Sequence, residues 1–414
     1  MLRKRITEQV DFFCGNDPKA LVRAYGSPLY VYSEAILRKN CRALKQMASY
    51  SDFHVNFSAK ANSNLALLQI VREEGLDVDA VSNGEIVIEL KAGFTPEQIF
   101  YVTNNASAEE MRFAIDKGIL MSVDSVSQLA QFGRLNPGGA VAVRFNPGIG
   151  AGHHAKVVTG GDKTKFGVNI EHTYEVKKIL AEYDLKLVGI NQHIGSLFMD
   201  SKPFMDSVQV IKNIAKEFPE LAFIDFGGGF GTPYKKQKGE PPLDLRLLGQ
   251  NLDAFMAAFS AEYGRPLAYK IEPGRYVVAE TCVLLGTVYS TKNNGKDKYI
   301  GTDIGFNVLV RPVMYDAYHE IEVYNDAREE ELVNVVGNIC ESGDFLAKDI
   351  VLPSITEGDV IGVLDAGAYG YAMSSTYNVR MRPAEVLIRE NGETVLIRER
   401  DRIEDMMSQM IPLY

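Results

Sequence analysis

The sequence predicts an α/β barrel joined to an all-β domain: a (β/α)8, TIM-like barrel with a C-terminal antiparallel β-barrel or sandwich. Short apolar runs alternate with helix-length segments from residue 36 to residue 275, and the runs number eight. Past Arg275 the chain changes to short β-branched runs broken by glycine and asparagine. Because eight βα units close into a barrel of about 250 residues, we place the barrel at 36–275 and the β domain at 1–35 and 276–414.

The eight apolar runs are the predicted barrel strands, and the segments between them have the apolar spacing of helices. The runs are His54–Lys60, Asp77–Ser82, Ile99–Thr103, Leu120–Asp124, Ala140–Asn146, Leu187–Ile194, Phe223–Phe226 and Ala268–Ile271. Predicted helical segments include Asn83–Ala92, Ala108–Lys117, Glu171–Glu182, Pro203–Glu217 and Leu243–Tyr263.

The second domain is predicted to be mostly antiparallel. Its candidate strands are Val277–Tyr289, Lys298–Ile304, Glu320–Tyr324, Leu332–Val336, Asp359–Leu364 and Ala384–Arg400. Within the last run, Asn391-Gly392 predicts a hairpin with a type I′ turn, because both residues accept a positive φ. The early run Leu29–Tyr32 is strand-like and could join either domain.

Composition favours a small-molecule enzyme of the cytoplasm. The net charge of -10, with no basic block beyond Arg3-Lys4-Arg5, argues against nucleic acid or an anionic membrane as the partner. We find no apolar leader and no window of about 18 apolar residues that could span a membrane. The 4 cysteines lack CxxC spacing and suit a reducing compartment. No metal site is predicted, since the one histidine pair, His153-His154, is adjacent in sequence and such side chains seldom ligate one ion.

Lys60 stands among small residues at the end of the first predicted strand, where barrels of this kind gather catalytic groups. An ammonium near apolar walls has a lowered pKa, and the free amine can attack a carbonyl to form an imine. The alternative is an ordinary solvated lysine. Other strand ends carry Ser82-Asn83-Gly84-Glu85, His193 with Gly195-Ser196, Gly227-Gly228-Gly229 and Glu272-Pro273-Gly274-Arg275. Alone, His193 fits a core histidine and the triple glycine a tight turn; their shared location indicates a site.

The loops after strands seven and eight are the usual phosphate seat of this fold, and glycines there let backbone N–H groups approach an anion. Gly227–Gly229 and Gly274-Arg275 occupy those loops. A phosphate seat combined with an imine-forming lysine predicts pyridoxal 5'-phosphate, an electron sink for carbanions. Glu272 is the candidate partner of the ring nitrogen, and His193 could stack on the ring face.

The chain resembles the fold-type III pyridoxal-phosphate decarboxylases and, within that group, is similar to the bacterial diaminopimelate decarboxylases. The matching stretches span positions 59 to 385 in the family's order, and their combination is highly specific. They are Ala59–Asn64, Ser82–Glu85, His193–Ser196, Phe226–Gly231, Glu272–Arg275, Arg311-Pro312 with Tyr315, Cys340–Asp344, Gly367–Asn378 and Arg382–Glu385.

The resemblance implies that Lys60 holds the cofactor through an imine and that Glu272 pairs with the ring nitrogen. The groups at or beside the cofactor are then His193, Ser196, Gly227, Gly228, Gly229, Gly274, Arg275 and Tyr369. It also implies a homodimer with shared active sites, in which Cys340 reaches the site of the partner chain and donates the proton that replaces carbon dioxide. The alternative for Cys340 is a plain buried thiol.

Substrate choice follows from charge. Ornithine or lysine would need a carboxylate at the far end of the pocket, whereas diaminopimelate brings a second carboxylate and needs cations. Arg275 and Arg311, with the Tyr315 hydroxyl, offer a charge-assisted clamp, and Glu341 could hold the distal ammonium, with Tyr369 helping to orient the distal end. The alternative for Arg311 is an interdomain salt bridge. The predicted reaction therefore removes the carboxylate at the D-configured centre of meso-2,6-diaminopimelate and yields L-lysine, a step of lysine biosynthesis.

The chain departs from the family pattern in two loops. Asn191 stands where the family often has histidine, Leu197-Phe198-Met199 follows Ser196 where Gln-Ile is usual, and Ala106 replaces a common lysine. A decarboxylase of another carboxylate-bearing diamino acid or conjugate therefore stays open. Two further alternatives are an amino-acid racemase of the alanine-racemase type and a non-catalytic cofactor-binding homologue. The presence of Lys60, Cys340 and Glu341 disfavours the latter.

Overall fold

The computed structural model describes residues 5–152, 160–161 and 164–413. Over these residues the strands are β1 (Leu29–Ser33), β2 (Phe53–Ser58), β3 (Asp77–Ala80), β4 (Ile99–Val102), β5 (Leu120–Val123), β6 (Ala140–Asn146), β7 (Ala151–Gly152), β8 (Val168–Asn169), β9 (Lys186–Asn191), β10 (Gly195–Ser196), β11 (Phe223–Asp225), β12 (Ala268–Ile271), β13 (Cys282–Asn294), β14 (Asp297–Thr302), β15 (Ile321–Val323), β16 (Glu330–Val336), β17 (Phe345–Pro353), β18 (Val360–Val363), β19 (Ala384–Ile388) and β20 (Thr394–Arg398).

The α-helices of the same residues are α1 (Ile6–Gln9), α2 (Pro18–Tyr25), α3 (Glu34–Lys45), α4 (Leu65–Glu73), α5 (Asn83–Ala92), α6 (Ala108–Asp116), α7 (Val126–Leu135), α8 (Thr173–Glu182), α9 (Lys202–Ala215), α10 (Leu245–Tyr263), α11 (Arg275–Val278), α12 (Arg311–Tyr315) and α13 (Ile403–Met407). None of the helices in these ranges combines the length and the apolar character that a membrane crossing requires.

The chain divides into two compact units. The barrel unit comprises residues 38–233 and 241–277, and the β unit comprises 1–37, 234–240 and 278–414. The short segment 234–240 belongs to the β unit, although residues of the barrel unit precede and follow it in the chain. Nothing in the sequence pattern predicted this assignment. The ranges 36–275, 1–35 and 276–414, taken as domains, stay a prediction.

The barrel unit is a closed ring of eight parallel strands. Neighbours in the ring follow the chain order β2, β3, β4, β5, β6, β9, β11 and β12, and β12 pairs with β2 to close it. The eight predicted runs are these eight strands, with ends that differ by at most three residues. Their apolar side chains, such as Phe57, Val78, Tyr101 and Ile224, are buried, which is why short runs of this composition form the wall. The predicted (β/α)8 barrel is confirmed.

Side-chain caps begin several of the helices around the ring. Ser82 is the N-cap of α5, where its hydroxyl accepts from the Glu85 N–H at 3.2 Å, and Glu85 Oε2 accepts from the Val81 N–H at 2.7 Å. Ser107 and Glu110 form a reciprocal capping box at α6. Ser82 and Glu85 were noted in the sequence because they follow a strand. In the structure they also cap the N-terminus of α5.

The β unit contains a nine-stranded sheet in the order β17-β16-β14-β13-β1-β19-β20, with β18 paired to β13 and β15 paired to β18. Its pairings are antiparallel except β1 with β19 and β14 with β16, so the sheet is mixed and, as predicted, mostly antiparallel. Both exceptions join strands that no hairpin connects, so no tight turn forces them to be antiparallel. β1, which the sequence left unassigned, pairs with β13 and β19.

The predicted hairpin at Asn391-Gly392 is confirmed, but its turn type is wrong. β19 and β20 are antiparallel, with Ile388 opposite Thr394. Gly392 has φ +85° and donates its N–H to the Arg389 carbonyl at 2.9 Å, whereas Asn391 is outside the positive-φ residues. The loop is thus longer than the two residues of a type I′ turn. Of Asn391 and Gly392, only Gly392 has a positive φ, whereas a type I′ turn needs it at both central residues. β17 had no predicted counterpart, because charged Lys348 and Asp349 interrupt its apolar pattern.

Candidate active site

Lys60 lies in a short 3₁₀ turn, Ala59–Ala61, directly after β2. Ala59 and Ala61 on either side of it are fully buried, while Lys60 itself is half-buried. A Cβ on Gly274 would lie 3.1 Å from the Ala61 side chain, so the loop after β12 approaches this turn closely. Small residues around Lys60 are therefore required by packing, and they anchor its backbone to the core.

Carboxyl groups surround the Lys60 ammonium. Asp79, Glu85 and Glu272 each interact electrostatically with it, and this cation lowers their pKa values against the burial that raises them. The sequence predicted apolar walls around this lysine, and that prediction is wrong in this respect.

Glu272 directly follows β12 and is 2% exposed. Burial, followed by the charge of Asp225, raises its pKa well above the ordinary value. Its Oε1 atom is buried and accepts from no N–H or O–H donor of the described residues, and its carboxyl group can share a proton with that of Asp225. A buried acceptor without a partner is unfavourable on its own, and a protonated ring nitrogen would supply the missing donor. This atom is the structural feature that fits a pyridoxal ring.

His193 is fixed by the glycine loop. Gly228 donates its N–H to His193 Nδ1 at 3.0 Å, so the ring proton is on Nε2. Burial, then the charges of Lys60 and Arg144, lower the pKa of His193 well below its usual value. An uncharged, oriented imidazole suits stacking on an aromatic ring.

Ser196 and Arg275 form a hydrogen-bonded pair in the barrel unit. Arg275, 5% exposed, donates from Nη2 to Ser196 Oγ at 2.9 Å and from Nε at 3.3 Å. The pair joins β10 to the start of α11. A buried guanidinium beside a hydroxyl fits a phosphate group, because both can donate to its oxygens.

The triple glycine is a close-packed turn as well as a candidate anion seat. A Cβ on Gly227 or Gly228 would strike the carbonyl oxygens of Gln192 and Glu272, respectively. The N–H of Gly227 donates to Asp225 Oδ1 at 2.8 Å, and that of Gly228 to His193. The Gly229 N–H donates to no group in the part of the chain that the structure describes, so of the three it is the one left for an anion.

Three charged residues of the barrel interior were missed at the sequence level. Each of them interacts electrostatically with Glu272: they are Asp79 (β3), Arg144 (β6) and Asp225 (β11). Asp79 Oδ2 accepts from the Ser58 hydroxyl at 3.1 Å, and burial raises the pKa of Asp225 to about 6. The signal was present: each is a charge inside an otherwise apolar barrel run, close to its C-terminal end.

In the β unit, Arg311 begins α12 and is 2% exposed. It donates to His319 Nε2 at 2.7 Å, and its guanidinium lies 4.7 Å from the centre of the Tyr234 ring. His319 Nδ1 in turn donates to the Leu364 carbonyl at 2.7 Å. These contacts fix the direction of the guanidinium. Tyr315 is the last residue of the same helix and is half-buried.

Cys340 and Glu341 follow β16 and are both exposed, so the alternative of a buried thiol is wrong for Cys340. Tyr369 lies in the loop after β18, half-buried, with φ +58°. A left-handed backbone at a bulky residue is uncommon and is concentrated at functional sites.

The departures from the family pattern have structural explanations. Asn191 is fully buried in β9, where its Oδ1 accepts from the Ser122 hydroxyl at 2.7 Å. Phe198 packs against Phe204 and Phe230, with ring centroids 5.1 and 5.2 Å away. Ala106 is buried and its carbonyl accepts from Gln128. Asn191 and Ala106 thus make hydrogen bonds within the barrel unit, and Phe198 packs against other aromatic rings there.

Across residues 5–152, 160–161 and 164–413, no group of three or more His, Cys, Asp or Glu side chains is arranged so that it could hold a metal ion. The pair His153-His154 lies outside these residues. The polar groups at the strand ends instead match an aromatic, phosphorylated cofactor. Glu272 Oε1, the oriented His193 ring and the Ser196–Arg275 pair supply an acceptor, a flat surface and anion donors.

Comparison with known proteins agrees with this chemistry. The family model described as pyridoxal-dependent decarboxylase, pyridoxal binding domain, matches residues 34–279, so barrel and site define a pyridoxal-dependent decarboxylase. The chain is 43% identical to the diaminopimelate decarboxylase of Methanothermobacter thermautotrophicus over 411 residues, covering 96% of this chain and 95% of that protein. The chain belongs to the diaminopimelate decarboxylase family, as its motifs predicted.

Solved structures support the same family and fold. A crystal structure of a diaminopimelate decarboxylase superposes with a TM-score of 0.89 at 33% identity, covering 96% of this chain and 98% of that chain. The Helicobacter pylori diaminopimelate decarboxylase complexed with L-lysine superposes with a TM-score of 0.87 at 30% identity, covering 95% of this chain and 98% of that chain.

Proposed function

We propose that this protein removes carbon dioxide from meso-2,6-diaminopimelate and produces L-lysine with the help of pyridoxal 5'-phosphate. The observation that carries the proposal is the unpartnered, buried Oε1 of Glu272 beside Lys60, in a chain of this family. The reaction breaks the Cα–carboxylate bond, leaves both electrons on Cα and consumes one proton there. When bound, the cofactor supplies the electron sink that makes this bond cleavage possible.

The cofactor residues proposed here belong to the barrel unit. Lys60 would hold the cofactor covalently, and Glu272 Oε1 would accept from the ring nitrogen. The Nδ1 bond from Gly228 keeps the His193 ring in one orientation for the face of the cofactor. The phosphate would be held by Ser196, Arg275, the Gly229 N–H and backbone N–H groups of Gly274-Arg275, with Gly227 and Gly228 beside it.

Substrate recognition is assigned to charged groups. Arg311 and Arg275 would bind the distal carboxylate together with the Tyr315 and Tyr369 hydroxyls, and Glu341 would bind the distal ammonium. The bond from Arg311 to His319 supports this role, because it holds the guanidinium in a single direction. A diamine precursor offers no second carboxylate to these cations.

Cys340 is proposed to donate the proton to Cα after carbon dioxide leaves, acting in the site of a partner subunit within a homodimer. Its exposure in the single chain is consistent with a thiol that acts outside its own barrel. We also propose a cytoplasmic location, since the 4 cysteines of the sequence are all unpaired and would stay reduced there.

A screen of carbon dioxide release tests the function. Purified protein with added pyridoxal phosphate is given meso-diaminopimelate, lysine, ornithine, arginine and carboxylated diamine conjugates. We expect release from meso-diaminopimelate with L-lysine as product. Faster release of carbon dioxide from a conjugate would show that the proposed substrate is wrong and that decarboxylation is right. Racemisation without release of carbon dioxide would indicate a racemase. No reaction, together with no covalent cofactor, would indicate a non-catalytic homologue.

A further inference from the structure

Two consecutive residues of a turn hold the Cys340-Glu341 segment of the β unit. The Cys340 N–H donates to Asn378 Oδ1 at 2.8 Å, and the Tyr377 hydroxyl donates to Glu341 Oε1 at 2.7 Å. We propose that Tyr377 and Asn378 are positioning residues: Tyr377 directs the Glu341 carboxylate toward the substrate ammonium, and Asn378 sets the place of the Cys340 thiol. This inference rests on the proposed function, which assigns Cys340 and Glu341 their roles.

The turn that carries the two residues has an unfavourable backbone. Asn378 has φ 56° and ψ 22°, and Val379 has φ +56°. Asparagine accepts the left-handed region, but a β-branched valine rarely does. The Val379 side chain is 59% exposed, so burial of its apolar surface does not offset the strain. Strain of this kind persists where neighbouring contacts determine the backbone, and it is concentrated at functional sites.

The contacts that determine the turn also hold the Cys340-Glu341 segment. The rings of Phe306 and Tyr377 stack with centroids 5.7 Å apart. Asp344 accepts from the Phe306 N–H through Oδ1 and from the Ile339 N–H through Oδ2, both at 2.7 Å. One carboxylate therefore links the residue beneath the Tyr377 ring to the residue before Cys340. Turn and segment are fixed with respect to the same side chain.

Charge keeps the Tyr377 hydroxyl a donor. Its hydrogen bond to the Glu341 carboxylate is the main cause that raises the pKa of Tyr377 above its usual value. Glu341 Oε1 is thereby occupied, whereas Oε2 accepts from no residue of the described chain. The arrangement leaves one carboxylate oxygen, in a fixed direction, for the ammonium of a ligand.

Tyr377→Phe tests the first contact, because it keeps the ring stack on Phe306 and removes only the hydroxyl. With meso-diaminopimelate we expect KM to rise about tenfold, the loss expected from one hydrogen bond to a charged group, with kcat changed by less than about twofold. An unchanged KM in a variant with the wild-type melting temperature would overturn the role of Tyr377.

Asn378→Gly tests the second contact, with Val379→Gly as its matched control. Glycine accepts a φ of +56° at either position, so both variants keep the turn, but only Asn378→Gly loses the bond to Cys340. We expect Asn378→Gly to lower kcat about tenfold with little change in KM, and Val379→Gly to keep both values and melt no lower than wild type. Equal kinetics in the two variants would overturn the role of Asn378.

Failure of the positioning roles can be separated from failure of the proposed function. If wild-type protein does not release carbon dioxide from meso-diaminopimelate, the function itself is wrong. If wild type is active and Cys340→Ala is impaired, but Tyr377→Phe and Asn378→Gly behave like wild type, only the positioning roles are wrong. The peptide-mapped rate of Cys340 alkylation adds a readout independent of turnover, and we expect Asn378→Gly, but not Val379→Gly, to change it.

Discussion

The backbone N–H of Gly228 donates to Nδ1 of His193 at 3.0 Å, and this bond settles which ring nitrogen carries the proton. The amide can only donate, so Nδ1 accepts and the proton is on Nε2. A protonated imidazolium would have to break the bond, which agrees with the lowered pKa of His193 caused by burial and by the charges of Lys60 and Arg144. The triple glycine therefore determines the state of the ring that is proposed to face the cofactor.

A pH dependence of stability follows from His193. Its folded pKa is lowered, so below the unfolded value of 6.5 the unfolded chain binds a proton that the folded protein does not. The contribution of His193 to stability is therefore present above pH 6.5 and is lost as pH falls below it. We expect His193→Phe to reduce the loss of stability between pH 7 and pH 5, measured by urea unfolding of cofactor-free protein. A loss equal to that of wild type would contradict the assignment.

The covalent attachment of the cofactor is expected to depend on Lys60 alone. Lys60→Ala should show no visible absorbance from bound cofactor and no mass increase at the peptide containing residue 60 after borohydride reduction. Lys60→Arg is the matched control, since it keeps a cation among Asp79, Glu85 and Glu272 but cannot react with a carbonyl. Covalent cofactor in either variant would identify another lysine.

Turnover is expected to depend on the Cys340 thiol. Cys340→Ala should keep covalent cofactor yet lower kcat by about 10²–10⁴-fold, the range of general acid catalysis. Cys14→Ala is the control, because Cys14 is a half-buried thiol outside the candidate site. Normal turnover of Cys340→Ala, with wild-type cofactor content, would remove the thiol from the proposed proton transfer.

Glu272 should show a conflict between stability and activity. Its folded pKa is raised, so its ionised form destabilises the protein, and stability falls as pH rises from 4.5 toward the folded pKa. Glu272→Gln preserves the shape of the uncharged side chain. Without cofactor we expect it to resist urea better than wild type at pH 8, while with cofactor its kcat should be lower. A variant that is less stable at pH 8 would show that Glu272 is stabilised by ionisation, contrary to the expected direction.

The sequence predicted the barrel because its strands are short apolar runs that alternate regularly with helical segments. In the barrel each strand pairs with the next one along the chain, so the order of the runs is enough to predict which strands are neighbours. It located Lys60, His193, Ser196 and Arg275 because barrels gather chemistry at strand ends. We did not predict roles for Asp79, Arg144 and Asp225, although each is a charge within an apolar run. Their neighbours within each run are apolar, and the interaction that makes a buried charge meaningful comes from other strands.

What the sequence alone determined was the order of strands and helices, the family and the reactive residue types, since these follow from periodicity and from residue identity at short range. Tertiary structure decided the protonation of His193, the acidic surroundings of Lys60, the parallel pairing of β1 with β19, and the turn at Tyr377 and Asn378. Each of these depends on groups far apart in the chain that folding brings within hydrogen-bonding or electrostatic range. At His193 and between β1 and β19, burial also makes such contacts strong, because little water remains to screen the charges or to replace the hydrogen bonds.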